Sequence, residues 1–235
     1  MLIKSPKIVG IIAAVTLFTA CAFTAGAQNY YVENENTFFG GPVVGANFAQ
    51  VDGDNYAGYH KVGMNVGGIV YARFGESFAG SMEILYSQRG SRSNGPKGVV
   101  NVPGISQVNK YSIDLNYAEV PIMFHLFNKQ RSHAGFGFSY SQLVSSKETV
   151  VSDVQRFNDT ATFDRYPFKK YDINFIIGGN LRLYKGLFIN LRFQYSLVPV
   201  RTNTYLGFAR SQQFNNSFVI RFEYLFGDKY PAKNR

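Results

Sequence analysis

The sequence predicts an all-β fold: an eight-stranded antiparallel up-and-down transmembrane β-barrel with short periplasmic turns and long extracellular loops. Three observations carry the prediction. Long segments alternate apolar and polar residues with a period of two, a pattern that a helix would scatter around its circumference. Those segments run past the five or six residues of an average soluble strand and reach the roughly nine to eleven that a tilted strand needs to span a bilayer. The connections between them alternate short and long, as in outer-membrane barrels.

The final segment is the clearest. From Phe214 to Phe226, residues Phe214, Phe218, Ile220, Phe222, Tyr224 and Phe226 share one parity, while Asn215, Ser217, Arg221 and Glu223 share the other. Seven segments precede it. The first, about 38 to 50, has Val44, Ala46 and Phe48 in step, and the second, about 61 to 73, sets Val62, Met64, Val66 and Val70 against Lys61, Asn65 and Arg73. The third, about 78 to 90, opposes Phe78, Met82, Ile84 and Tyr86 to Ser81, Glu83, Ser87 and Arg89. The fourth, about 110 to 127, starts with Tyr111, Ile113, Leu115 and Tyr117 on odd positions and ends with Val120, Ile122, Phe124 and Leu126 on even ones. That change of phase predicts a β-bulge near Ala118 and Glu119, beside Pro121, which would leave Tyr117 facing outward and turn Glu119 inward.

The fifth segment, about 132 to 146, keeps Ala134, Phe136, Phe138, Tyr140 and Val144 in step. The sixth, about 168 to 184, sets Tyr171, Ile173, Phe175, Ile177, Leu181 and Leu183 against Asp172, Asn174, Asn180 and Arg182. The seventh, about 186 to 198, opposes Leu187, Ile189, Leu191, Phe193, Tyr195 and Leu197 to Asn190, Arg192, Gln194 and Ser196. Short links at Phe74-Gly75-Glu76-Ser77, Asn128-Lys129-Gln130-Arg131 and Lys185-Gly186 alternate with long ones at about 51 to 60, 91 to 109, 147 to 167 and 199 to 211. Every short turn therefore falls at one end. A soluble eight-stranded barrel would alternate in the same way with its apolar face inside. Strand length, aromatics at strand ends, and Arg, Glu and Asn opposite the aromatic faces favour the inverted arrangement.

The N-terminus reads as an export signal. Lys4 and Lys7 precede an apolar stretch from Ile8 to Phe23, then Ala25-Gly26-Ala27 before Gln28. This is the pattern of a signal peptide over 1–27, cleaved between Ala27 and Gln28. Cys21 offers a lipidation alternative, but Leu17-Phe18-Thr19-Ala20 fits a lipobox poorly. The mature chain is expected to comprise a periplasmic leader at 28–37, a barrel at 38–226 and a periplasmic tail at 227–235, in the outer membrane of a Gram-negative bacterium. Cleavage keeps 22 of the 24 Lys and Arg residues against 15 acidic ones and removes the single Cys, which excludes disulfide and thiolate chemistry. With 22 Phe, 16 Tyr and no Trp, any interfacial girdle is built from Phe and Tyr.

Glu83, Glu119, Arg182, Arg192, Arg221 and Glu223 all lie on polar parities, which predicts a network of ion pairs inside the lumen. An eight-stranded barrel is only wide enough to be filled by its own side chains, so the network is expected to plug it. An enzyme is disfavoured. The three histidines are His60 in a loop, His125 after Phe124, and His133 at a strand start, with no His-x-Ser arrangement, metal-ligand spacing or phosphate-cradling glycine motif. No cofactor is expected, and the spread of charge on an exported chain gives no support to nucleic-acid binding. The long connections carry Arg92, Lys97, Lys147, Arg156 and Arg165, cations suited to outer-membrane lipid and lipopolysaccharide phosphates.

The chain resembles the PorT-like, or porin-family, outer-membrane β-barrel proteins. The resemblance rests on Gly45-Ala46-Asn47-Phe48, Glu83-Ile84-Leu85-Tyr86-Ser87 followed by Gly90, and Tyr117-Ala118-Glu119-Val120-Pro121. It continues through Gly178-Gly179, Lys185-Gly186-Leu187-Phe188 and Phe222-Glu223-Tyr224-Leu225-Phe226, and so covers nearly all of the mature chain. It implies the barrel fold, and recognition of the closing strand, with Phe218, Ile220, Phe222, Tyr224 and Phe226, by barrel-assembly machinery. One family member is implicated in type IX secretion, so an accessory role with secretion components is the alternative to a non-enzymatic structural or loop-mediated interaction role. A lipid-modifying enzyme is a remoter alternative.

Overall fold

The computed structural model describes residues 37–54, 58–75, 77–98, 107–152, 156–157, 166–202 and 209–227. The expected signal peptide with Ala27 and Gln28, the leader apart from Thr37, the tail apart from Gly227, and Arg165 lie outside the described residues. The described chain forms β1 (Phe38–Asp54), β2 (Lys61–Arg73), β3 (Phe78–Gly98), β4 (Gln107–Phe127), β5 (His133–Ser152), β6 (Arg156–Phe157), β7 (Tyr171–Tyr184), β8 (Leu187–Ser196) and β9 (Ala209–Tyr224). Eight of these close into an antiparallel ring, β1-β2-β3-β4-β5-β7-β8-β9 and back to β1, while the two-residue β6 adds to the far end of β5. Closure removes the sheet edges that an open sheet would expose.

The seam is β1 against β9, from Val43↔Glu223 to Asp52↔Phe214, and Gly40 bridges Phe226 beyond the strand end. Three tight connections share that end of the ring. Phe74 N–H donates to the Phe78 carbonyl at 3.0 Å, and Asn128 N–H donates to that of Ser132 at 2.9 Å. Gly186 closes the third with φ of 71°, a conformation that costs glycine little.

Alternation sets which side chains face out. Phe78, Ile84, Ile122 and Phe136 are each more than half exposed on the outer face, whereas Glu83, Arg89, Glu119 and Arg221 are buried inside. The barrel is thus apolar outside and polar within, the reverse of a soluble barrel.

Two expectations are corrected. There is no bulge at Ala118 and Glu119: β3 and β4 hold one register from Phe78↔Leu126 to Asn94↔Lys110, and Tyr117 points inward, fully buried. The extra residue is Val144 on β5, since Asn116 pairs with Ser145 and Tyr117 with Leu143. Odd positions of β4 face inward from Tyr111 to Phe127. What changes at Ala118 is which face is apolar, because Tyr111, Ile113, Leu115 and Tyr117 lie beyond the outer apolar belt, where the exterior is water and the apolar residues pack inside. Pro121, with no N–H to donate, coincides with a lapse in β3–β4 pairing between Met82↔Ile122 and Leu85↔Glu119.

The second correction concerns loop length. Much of 91 to 109 and part of 147 to 167 is strand, and β3, β4 and β5 reach 21, 21 and 20 residues against 10 for β8. These three strands therefore rise as a wall beyond the belt. Pairing of β2 with β3 stops at Asn65↔Ser87, and β3 continues along β4 through Gly90, whose φ of 132° and close approach to the Ile113 carbonyl admit no side chain.

Candidate functional site

The candidate site is the lumen, which side chains from all eight strands fill in layers. At the end with the tight turns, Phe39, Tyr71, Phe127, Phe188 and Leu225 form an apolar cluster with Val43 and Leu85. Phe39 stacks on Tyr71 at 4.9 Å between centroids, and the Arg73 guanidinium lies 4.9 Å over Phe39.

Above this cap lies the first charged layer. The Glu83 carboxylate on β3 accepts from Arg192 on β8, with Nη1 to Oε2 at 3.2 Å and a second, shorter contact from Nη2. It also accepts from Arg221 on β9 at 2.7 and 3.0 Å. Arg221 Nη2 donates to Glu223 at 2.8 Å, and its Nε donates to Asn190 at 2.9 Å. Glu223 accepts in addition from Asn180 Nδ2 at 3.0 Å and from the Tyr71 hydroxyl at 3.3 Å. Two guanidiniums meet two carboxylates, and the layer is neutral.

The next layer is not neutral. Arg89 on β3 bonds Glu119 on β4 and donates to Asn174 at 3.1 Å, and its Nη1 lies 3.5 Å from Asp172 on β7. Gln194 donates to Glu119 at 2.5 Å. Asp172 Oδ2 accepts from Ser196 Oγ at 2.9 Å and from Asn215 Nδ2 at 3.0 Å, while Oδ1 is buried without a partner. Asn215 Nδ2 also donates to the Tyr117 hydroxyl at 3.1 Å, tying β9 to β4 across the lumen. One cation here faces two carboxylates, all of them buried.

Beyond Tyr117 the filling is apolar, with Val51, Ile113, Leu115 and Val200 fully buried. The far end is held by Arg201. Its guanidinium donates to Glu148 at 2.7 and 3.2 Å and to Gln213 at 2.8 Å, and it lies 4.1 Å over the Phe168 ring.

Of the six residues anticipated for the lumen, Glu83, Arg192, Arg221 and Glu223 come together, and Glu119 sits in the separate layer with Arg89. Arg182 joins neither. It is half-buried at the turn end, 5.8 Å over the Phe188 ring. Arg89 and Asp172, which also occupy inward parities, are further members that a choice by charge and parity does not single out. The outer positions of β9, Phe218, Ile220, Phe222 and Tyr224, with Phe226 beyond them, face outward and are between 41% and 62% exposed.

The fold also makes a pair that spacing conceals: Ser81 Oγ and His125 Nε2 are 2.7 Å apart inside the barrel. His125 Nδ1 is buried without a hydrogen-bond partner, so no carboxylate orients the ring. His133 is buried beside Tyr71 and Asn180, and His60 is exposed. Among the described residues, no group of three or more His, Cys, Asp or Glu side chains is arranged to hold a metal.

Residues 27–202 match the family described as outer membrane protein beta-barrel domain. Among solved structures, Ail, the attachment invasion locus protein of Yersinia pestis, is 11% identical over 81% of this chain and 100% of its own, with a TM-score of 0.42. OprG from Pseudomonas aeruginosa is 9% identical over 82% of this chain and 97% of its own, with a TM-score of 0.40. Neisserial surface protein A is 10% identical over 83% and 100%, with a TM-score of 0.37. No curated protein sequence matches the chain.

Proposed function

The chain belongs to the outer membrane protein β-barrel domain family, and from that premise we propose that it is a closed, non-enzymatic barrel whose work is done by its outer and extracellular surfaces. It resides in the outer membrane, with the tight turns periplasmic and the wall of β3 to β5 extracellular. The carrying observation is the filled lumen: an aromatic cap, two charged layers, an apolar layer and the Arg201 clasp succeed one another from one end to the other. Burial of these charges is tolerable because each has partners; leaving one unpaired would cost several kcal/mol.

The Ser81–His125 pair does not act as a nucleophile and base in this reading. Both side chains are buried in the lumen behind the aromatic cap, and nothing holds the imidazole tautomer that a serine hydrolase needs. Liposome swelling tests the closed state. Wild-type protein and Arg192→Ala are both expected to exclude small sugars, the variant unfolding at lower urea; swelling by the wild type would overturn the proposal.

A second reading, an accessory role in type IX secretion, is favoured by the order of the PorT-like motifs from Gly45 to Phe226. It is analogy at the level of the fold. Deletion should then trap cargo in the periplasm, and the detergent-solubilised protein should co-purify with secretion components; normal cargo export without it would remove this reading. Either role requires insertion by barrel-assembly machinery, for which the outward aromatics of β9 are the proposed recognition feature.

A further inference from the structure

On the outer surface of β4 and β5, Val120, Ile122, Phe124, Phe136, Phe138 and Tyr140 line an apolar groove of about 670 Å³ within the belt. Its occupant in the outer membrane is hydrocarbon. The same two strands then leave the belt without changing face. Above Ala118 and Tyr140 most of their outward positions become polar, with Val144 and Val151 as exceptions: Asn116 donates to Ser145 at 2.8 Å, and above that pair stand Asp114 and Lys147, which are Cα partners, then Lys110. Arg92 on β3 joins them opposite Ser112. Asp114 is already bonded by Lys61. Among the described residues no carboxylate forms an ion pair with Lys147, Lys110 or Arg92, and Arg92 Nε is buried without a partner.

We infer that this face binds one phosphorylated glycolipid of the outer leaflet, an acyl chain in the groove and the headgroup phosphates against Lys147, Lys110 and Arg92. This deepens the proposal that the barrel works through its outer surface, and rests on it. Height selects the headgroup. At about 3.3 Å per residue, Asp114 and its partner Lys147 lie roughly 13 Å along the strand beyond Ala118, and Lys110 lies roughly 26 Å beyond it. A simple phospholipid keeps its phosphate at the level of the tyrosines, below all three cations. A saccharide headgroup reaches them, and the Asn116–Ser145 pair beneath them offers hydrogen bonds to sugar hydroxyls. Phosphate held by several cations at once makes the strong, charge-assisted kind of contact.

Native mass spectrometry of detergent-purified full-length protein, offered purified lipopolysaccharide and phosphatidylglycerol together, tests this. One lipopolysaccharide adduct is expected on the wild type. The triple reversal Lys147→Glu, Lys110→Glu and Arg92→Glu is expected to weaken it roughly tenfold or more, and Lys129→Glu with Lys185→Glu, on the periplasmic turns, to leave it unchanged. All five positions are exposed or half-exposed, so folding is not at stake. Equal retention of phosphatidylglycerol, an adduct indifferent to the triple reversal, or a lipid-free dimer that the reversal breaks would each overturn the inference. Sugar flux through the wild type would instead strike the closed-barrel reading, leaving the lipid result legible.

Discussion

Arg221 shows what a charge must do to live inside this barrel. It is fully buried, and its guanidinium satisfies Glu83, Glu223 and Asn190 together. Arg221→Ala leaves Arg192 as the one guanidinium against the two buried carboxylates of Glu83 and Glu223, and a loss of about 3–5 kcal/mol in urea unfolding from detergent is expected. Asp172 is the converse case. Its layer holds one guanidinium against two carboxylates, and its Oδ1 and Asn215 Oδ1 are both buried acceptors without a donor. Asp172→Asn removes the surplus charge and supplies an N–H that can serve Asn215, so its midpoint should equal or exceed that of the wild type, whereas Arg89→Leu should fall well below. A large loss in Asp172→Asn would mean that Asp172 is needed as Arg89's counter-charge. Parity alone told which residues share a face. It did not tell which ones touch: Arg192 meets Glu83 across 109 positions and Arg221 meets it across 138, distances that only the register of the closed ring determines.

At the level of strands, β4 carries the boundary of the bilayer within itself. Below Ala118 its even positions are apolar and outward, and above it the odd positions are apolar and inward. The sequence pattern looked like a bulge because a bulge and an inversion of surroundings both move apolar residues to the other parity. Only the neighbour's register, with Val144 as the extra residue on β5, separates the two. The true lengths of β3 and β5 were hidden as well, because their polar extensions beyond the belt resemble loops. Substitution maps the boundary directly. Ile122→Lys should cost about 2–4 kcal/mol and Asn116→Lys almost nothing, both read as unfolding midpoints in lipid vesicles. The closing strand is tested by truncation: a chain ending before Tyr224 loses Phe226 and its bridge to Gly40 and should fail to give heat-modifiable, membrane-inserted protein.

For the whole molecule, the eight alternating segments, the three tight turns at one end and the apolar exterior were legible in the sequence, because a closed antiparallel ring needs only local periodicity and short turns to declare itself. The filling of the lumen depends on contacts between strands far apart in the chain, and it is the ground for the proposal that this barrel is closed and works through its outside. Planar bilayer recording on the purified wild-type protein tests that claim most directly. The account predicts insertion without ohmic single-channel steps; discrete, voltage-independent conductance from the wild type would show an open path through the charged layers and contradict it.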